Sequence, residues 1–228
     1  MEQTFTVLGI DLGACMSGNS AYVFAQIPAS RDSIKIIETL KEPKHKDHLS
    51  CRDFLHGTVT RHDVDAIAID APLSLPKALT DPQFPQKERK KSGEIANPYL
   101  YRYTDYFLYE RFGLKPMPPA GDRIGRLTAR AIGLLQTFDF AFPCIEPKGK
   151  KIPLYEVYPK QIAHSLGQKN YRKEPQKLLR ALNPDRPLDD IHLIDALLCC
   201  FGASSILQGN TVWPDAGIEE EGWCFPVV

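Results

Sequence analysis

Two apolar runs end alike. Thr4 to Ile10 closes in Gly9-Ile10-Asp11 and Asp65 to Ile69 in Ala68-Ile69-Asp70, so each places a carboxylate where a β-rich stretch stops. The second run is short and apolar on both faces, the pattern of a strand inside a sheet. In an open α/β sheet, ligands gather beyond the carboxyl ends of the strands. If these strands are neighbours, Asp11 and Asp70 converge. Two acids a few ångströms apart ionise together only when a cation joins them; otherwise one pKa rises. For either residue alone, a turn-forming aspartate at a strand end is the plainer reading.

Ala21 to Ile27 and Ile34 to Thr39 read as two further strands, so the chain opens on a meander. Asp47 to Val59 reads as an amphipathic helix leading into the Asp65–Ile69 strand. From about 71 to 125 the character changes, with prolines at 72, 76, 82, 85, 98, 116, 118 and 119 and a charged run from Lys87 to Lys91. Within it, Tyr99 to Phe112 reads as a helix closed by Gly113. Arg123 to Phe138 follows as a helix with Arg123, Arg126 and Arg130 on one face. Ile152 to Tyr158 is a fifth strand ended by Pro159, Glu174 to Leu182 a short polar helix, and Trp213 to Val228 a short closing strand. Asp190 to Leu207 is a helix apolar nearly all the way round, hence buried on most sides. This order predicts one α/β domain over residues 1–228, a mixed five-stranded sheet flanked by helices, with a helical insertion after the fourth strand at about 71–125.

Two further acids sit where an apolar environment demands a partner. Glu156 interrupts the fifth strand on the face of Ile152, Leu154 and Tyr158, and Asp195 lies inside the last helix. His192 precedes Asp195 by one turn, as a packing residue or a proton carrier; Asp190, or Asp189 before it, could cap the helix. Hard oxygen donors with no His/Cys cluster legible beside them point to Mg²⁺ or Mn²⁺ rather than zinc. The six cysteines form no CxxC pair, and adjacent Cys199 and Cys200 read as small buried hydrophobes.

Charge bounds the partners. Lys plus Arg equals Asp plus Glu at 28 each, so no global positive field gathers a polyanion and any such site must be local. Met1-Glu2-Gln3-Thr4 carries an acid where a signal peptide carries bases, and no apolar run approaches the roughly 20 residues of a membrane span. A cytoplasmic protein without membrane contact is expected.

Gly-Ile-Asp-Leu-Gly (9–13), Ile-Asp-Ala-Pro-Leu-Ser-Leu-Pro (69–76), Glu-Val-Tyr-Pro (156–159) and Asp-Asp-Ile-His-Leu-Ile-Asp-Ala-Leu (189–197) together resemble domain-of-unknown-function family 429. That is a predicted-nuclease family of the ribonuclease H-like superfamily. The resemblance implies metal-binding acids at Asp11, Asp70, Glu156 and Asp195, in the layout of Holliday-junction resolvases. It also matches Arg102 and Asp105 to an arginine and an acid of the inserted helix, either as an intrahelical pair or with Arg102 facing a phosphate.

The function expected on these grounds is a metal-dependent nuclease. Asp11, Asp70, Glu156 and Asp195 would hold the cations, water or His192 would handle protons, and Arg102, Arg123, Arg126 and Arg130 would meet the phosphates of a nucleic acid. The lysine run reads either as a further phosphate contact or as a solvated loop. Tyr99, Tyr101, Tyr103, Tyr106 and Phe107 could stack bases or fill a core. A phosphotransferase of the sugar kinase and actin class, which can begin with a similar Gly-Ile-Asp-Leu-Gly loop, needs two such domains in tandem, and no internal repeat is visible. A non-catalytic nucleic-acid- or metal-binding module is the third reading.

Overall fold

The structure, a computed structural model, describes residues 3–13, 17–81, 83–84, 86–90, 92–135, 140–141, 151–214 and 221–228. Strand β1 (Thr4–Asp11) pairs antiparallel with β2 (Ala21–Pro28), which pairs antiparallel with β3 (Lys35–Lys41) across a bulge at Phe24/Ala25. Helix α1 (His48–Val59) then carries the chain to β4 (Ala66–Asp70), which lies parallel to β1. Asp47 caps α1 by accepting the Ser50 backbone N–H, so the predicted helix start is a side-chain cap.

After β4 come the single turn α2 (Lys77–Thr80), a 3₁₀ turn at Glu94–Ala96, α3 (Tyr103–Phe112) and α4 (Asp122–Leu135). Gly113 ends α3 in the left-handed conformation, as the sequence predicts, but the helix begins four residues later than Tyr99. Tyr101 and Tyr106 close a small core with Ile95, whereas Tyr99 is exposed. The predicted end of the Arg123–Phe138 helix lies outside the described residues, as do Lys91, Cys15 and Cys144.

The two-residue strand β5 (Phe140–Ala141) and β6 (Ile152–Glu156) complete a sheet in the order β3-β2-β1-β4-β6-β5. The five predicted strands are all present, and β5 adds a short parallel edge that periodicity over two residues could not show. Helices α5 (Pro159–Ser165), α6 (Pro175–Leu182) and α7 (Ile191–Leu207) follow. The predicted closing strand forms only isolated bridges among its described residues, one of them Glu156 to Cys224 beside β6. Three antiparallel strands followed by parallel strands, with helices on both faces, is the ribonuclease H-like arrangement.

Strand parity divides the core. Val7, Ala66 and Ala68 face α5, α6 and α7, while Leu8, Ile10, Ile67 and Ile69 face α1 and α4. Gly9 has the parity of Val7, and α7 lies so close there that a Cβ on it would fall 1.9 Å from the Ala196 carbonyl oxygen and 2.7 Å from the Cys200 nitrogen. Both obstacles are backbone. Among the described residues no helix is long and apolar enough to cross a membrane.

Gly9→Ala is therefore expected to cost about 1–3 kcal/mol or more by overpacking. Gly57→Ala, in α1 where a Cβ meets nothing within 4 Å, should stabilise by about 0.5–1 kcal/mol. Urea unfolding of the two variants checks both, and equal effects would contradict the close approach of α7.

Candidate metal centre

Asp11 and Asp70 are register partners on adjacent parallel strands, so their side chains leave the sheet at one level. Both share the parity that faces α7, whose first two turns supply the next groups. His192 Nδ1 lies 2.6 Å from Asp11 Oδ2. Asp195 is buried one turn further on, accepting the Tyr171 hydroxyl on Oδ1 and an Arg172 N–H on Oδ2, each at 2.6 Å. Asp190 caps α7 by accepting the His192 and Leu193 amides and pairs with Lys41, which gives it the capping role.

The three acids share an electrostatic strain. Burial pushes the Asp70 carboxyl well above its ordinary value, and the charges of Asp11 and Asp195 push it further. Burial also raises Asp11, against the opposing hydrogen bond and charge of His192. Asp195 is pushed up to about 6, again by burial, although Tyr171 and Arg172 favour its charged form. No hydrogen bond to the Asp70 carboxylate arises among the described residues. This cluster is short of positive charge.

Glu156 faces the same cleft in a different state. Its Oε2 accepts the Leu73 amide at 2.8 Å and Arg102 Nη1 at 2.7 Å, and its Oε1 accepts Arg102 Nη2 at 2.6 Å. Arg102 also donates from Nε and Nη2 to Asp105 and from Nη1 to Ser74. A guanidinium has five N–H donors, and these contacts use all five. Arg102, read from the sequence as a possible phosphate contact, is instead a fully buried counter-ion with no donor left, because Glu156 and Asp105 enclose it. The intrahelical pair is the reading that survives.

Of the three arginines on α4, one is corrected in the same way. Arg130 turns inward and donates to the Gly13 carbonyl at 2.7 Å, to Ser20 and to Glu42, so it holds the loop after β1 rather than a substrate. Arg126 is exposed on its own, and the Arg123 side chain lies outside the described residues.

Positive charge enters from a segment that sequence reasoning passed over. A cleft of about 550 Å³ is lined by Asp11, Asp70 and Glu156 on one side and by Lys160, Lys169, Arg172 and Lys173 on another. The run Gln168-Lys-Asn-Tyr-Arg-Lys173 was the available signal, a cluster of bases just before a helix. Tyr158 lines the cleft too, its phenol pushed up to about 12 by burial and then by Asp70.

The model of a family described as "Protein of unknown function (DUF429)" matches residues 9–217. No curated protein matches the sequence significantly. Among solved structures, Thermus thermophilus RuvC is similar at 14% identity and a TM-score of 0.42, over 90% of this chain and 96% of that one. T. thermophilus RuvC in complex with a Holliday junction substrate is similar at 13% identity and a TM-score of 0.40, over 90% and 94%.

Arg102→Met would leave Glu156 and Asp105 buried without their counter-ion and is expected to cost about 3–5 kcal/mol in denaturant unfolding. An unchanged midpoint would contradict the buried triad. Asp11, Asp70 and Asp195 have folded pKa values above the 3.8 of an unperturbed aspartate. Their protonated forms thus favour the fold below about pH 4, and that contribution is lost as pH rises through the folded values, about 6 for Asp195. Metal-free protein should accordingly lose stability between pH 4 and 7 on this account, and Asp70→Asn should flatten the loss in thermal melts.

Proposed function

Because the chain belongs to the DUF429 family, whose description leaves activity open, function has to come from the site, and we propose a divalent-metal-dependent nuclease. The observation that carries this reading is the register pairing of Asp11 with Asp70 beside the buried Asp195, a carboxylate set whose charges oppose one another. Asp11, Asp70 and Asp195 would hold Mg²⁺ or Mn²⁺, since carboxylate oxygens suit hard cations. When bound, such a cation supplies Lewis-acid stabilisation of a phosphoryl oxygen and a more acidic water.

The chain's own residues divide the remaining work. Lys160, Lys169, Arg172 and Lys173 give the cleft a local basic surface, and they would bind the phosphates of a nucleic acid. Tyr158 keeps its proton throughout the working pH range and can donate a hydrogen bond into the cleft. His192, half-exposed and bonded to Asp11, orients that carboxylate and is placed to pass a proton to solvent. Glu156 serves as a positioning residue, because Arg102 and the Leu73 amide already occupy both of its oxygens. A phosphotransferase would need a second domain to close over a nucleotide, and the described residues build one sheet.

Mn²⁺ titrated into the purified chain should bind, and Asp11→Asn with Asp70→Asn should weaken binding at least about a hundredfold while the circular dichroism stays native. On a panel of single-stranded, duplex, hybrid and branched substrates, Mg²⁺ or Mn²⁺ should support cleavage that a chelator stops. His192→Ala should slow it by about 10–100-fold, as for other groups that orient a metal ligand. Metal binding without cleavage of any substrate would leave a binding module; full activity in the double variant would overturn the site.

A further inference from the structure

A second cluster of different chemistry lies on the other face of the sheet. Glu42 follows β3, His45 sits in the turn before α1 and Cys51 in the first half of that helix, and one donor atom from each lies within 4.8 Å of the others. Cys51 Sγ is 3.1 Å from Glu42 Oε1, and His45 Nε2 is 3.3 Å from the same oxygen. A tetrahedral Zn²⁺ with bonds of about 2.0–2.3 Å spaces its ligands by roughly 3.3–3.7 Å, so small shifts would seat one. Glu42 and Cys51 are buried, at 3% and 2% exposure.

A second, independent observation points to a ligand here. Among the described residues, the buried side-chain nitrogens and oxygens without a hydrogen bond are Tyr22 Oη, Glu42 Oε2 and His45 Nε2. Two of them belong to the cluster. Tyr22 stands close by, since its ring and that of His45 both pack on Phe54, at 5.8 and 5.5 Å between centroids. Buried polar atoms left without partners are rare in native folds, and three in one neighbourhood ask for a shared occupant. A water could satisfy the oxygen and the imidazole; the thiol beside them favours a thiophilic cation.

We propose that Glu42, His45 and Cys51 form a zinc-binding site that is structural and separate from the Asp11–Asp70 centre. Cys51 binds as the thiolate, its proton passing to solvent, and His45 binds through neutral Nε2. The cation ties the end of β3 to the start of α1. Arg130 extends the effect, because it donates to Glu42 with Nη2 and to the Gly13 carbonyl with Nη1, so the loop leaving Asp11 is fastened to the same point. The site does not depend on the nuclease reading.

The test uses Co²⁺ as a spectroscopic stand-in, titrated into the full-length, metal-free chain. One equivalent should develop a thiolate-to-cobalt charge-transfer band that Zn²⁺ displaces. Cys51→Ser should abolish the band, His45→Ala should weaken binding at least about tenfold, and the Asp11→Asn/Asp70→Asn double variant should keep both. No such band in the wild-type chain, or one that persists in Cys51→Ser, overturns the proposal. Should Cys51→Ser fail to fold, the deciding measurement is the melting temperature: Zn²⁺ should raise it for the wild type and not for His45→Ala, and equal responses overturn the site.

Discussion

The contact between α7 and β1 at Gly9 governs the rest of the molecule. With backbone atoms of α7 standing where a side chain on Gly9 would be, the helix lies against the centre of the sheet and cannot shift without losing that fit. Its first turns then fall beside the ends of β1 and β4, which places His192 on Asp11 and Asp195 near Asp70. A larger residue at position 9 would separate α7 from the sheet and so disperse the acids. The site is thus a consequence of close packing in the core, where interiors transmit small displacements rather than absorb them.

Carboxylates in this protein fall into two electrostatic states. Glu156 and Asp105 surround Arg102, so both of these buried charges have a cation in direct contact. Asp11 and Asp70 have none at comparable range except His192, whose charge depends on its protonation. Asp11 and Asp70, desolvated without such a contact, relieve the strain by taking up protons or a metal ion. Arg102 thereby contributes to the centre at a distance. By pairing with both oxygens of Glu156 it fixes that carboxylate in the cleft wall.

The layers and the acid pair were legible because their signals are periodic. Val7 to Asp11 and Ala66 to Asp70 carry their burial in their own residue types, and two strands that end alike register alike when they pair. Asp47 and Asp190 were readable as helix starts for the same local reason, an acid just before a helical pattern. What escaped was set by contacts between distant segments. Nothing in the spacing of Arg123, Arg126 and Arg130 tells that Arg130 reaches Gly13, 117 positions away. The partners of Asp195 come from Tyr171 and Arg172, in a stretch without helical or strand periodicity. The Glu42, His45 and Cys51 set was invisible in the same sense, since its spacing matches no common zinc motif and only the turn before α1 closes it.

These contacts also explain how a chain with no net charge can gather positive charge in one cleft. Two of its arginines, Arg102 and Arg130, are spent inside, matched to buried acids. The exposed bases that remain near the acids come from α5 and the segment before α6, within one cleft. Arg172 belongs to both groups, since it pairs with Asp195 while much of its side chain stays in solvent. A ligand phosphate drawing on Arg172 would loosen its hold on Asp195, and a cation on the acids would compensate for that loss. On the proposed reading, binding of phosphate and binding of metal would be coupled through Arg172, and by linkage each would strengthen the other.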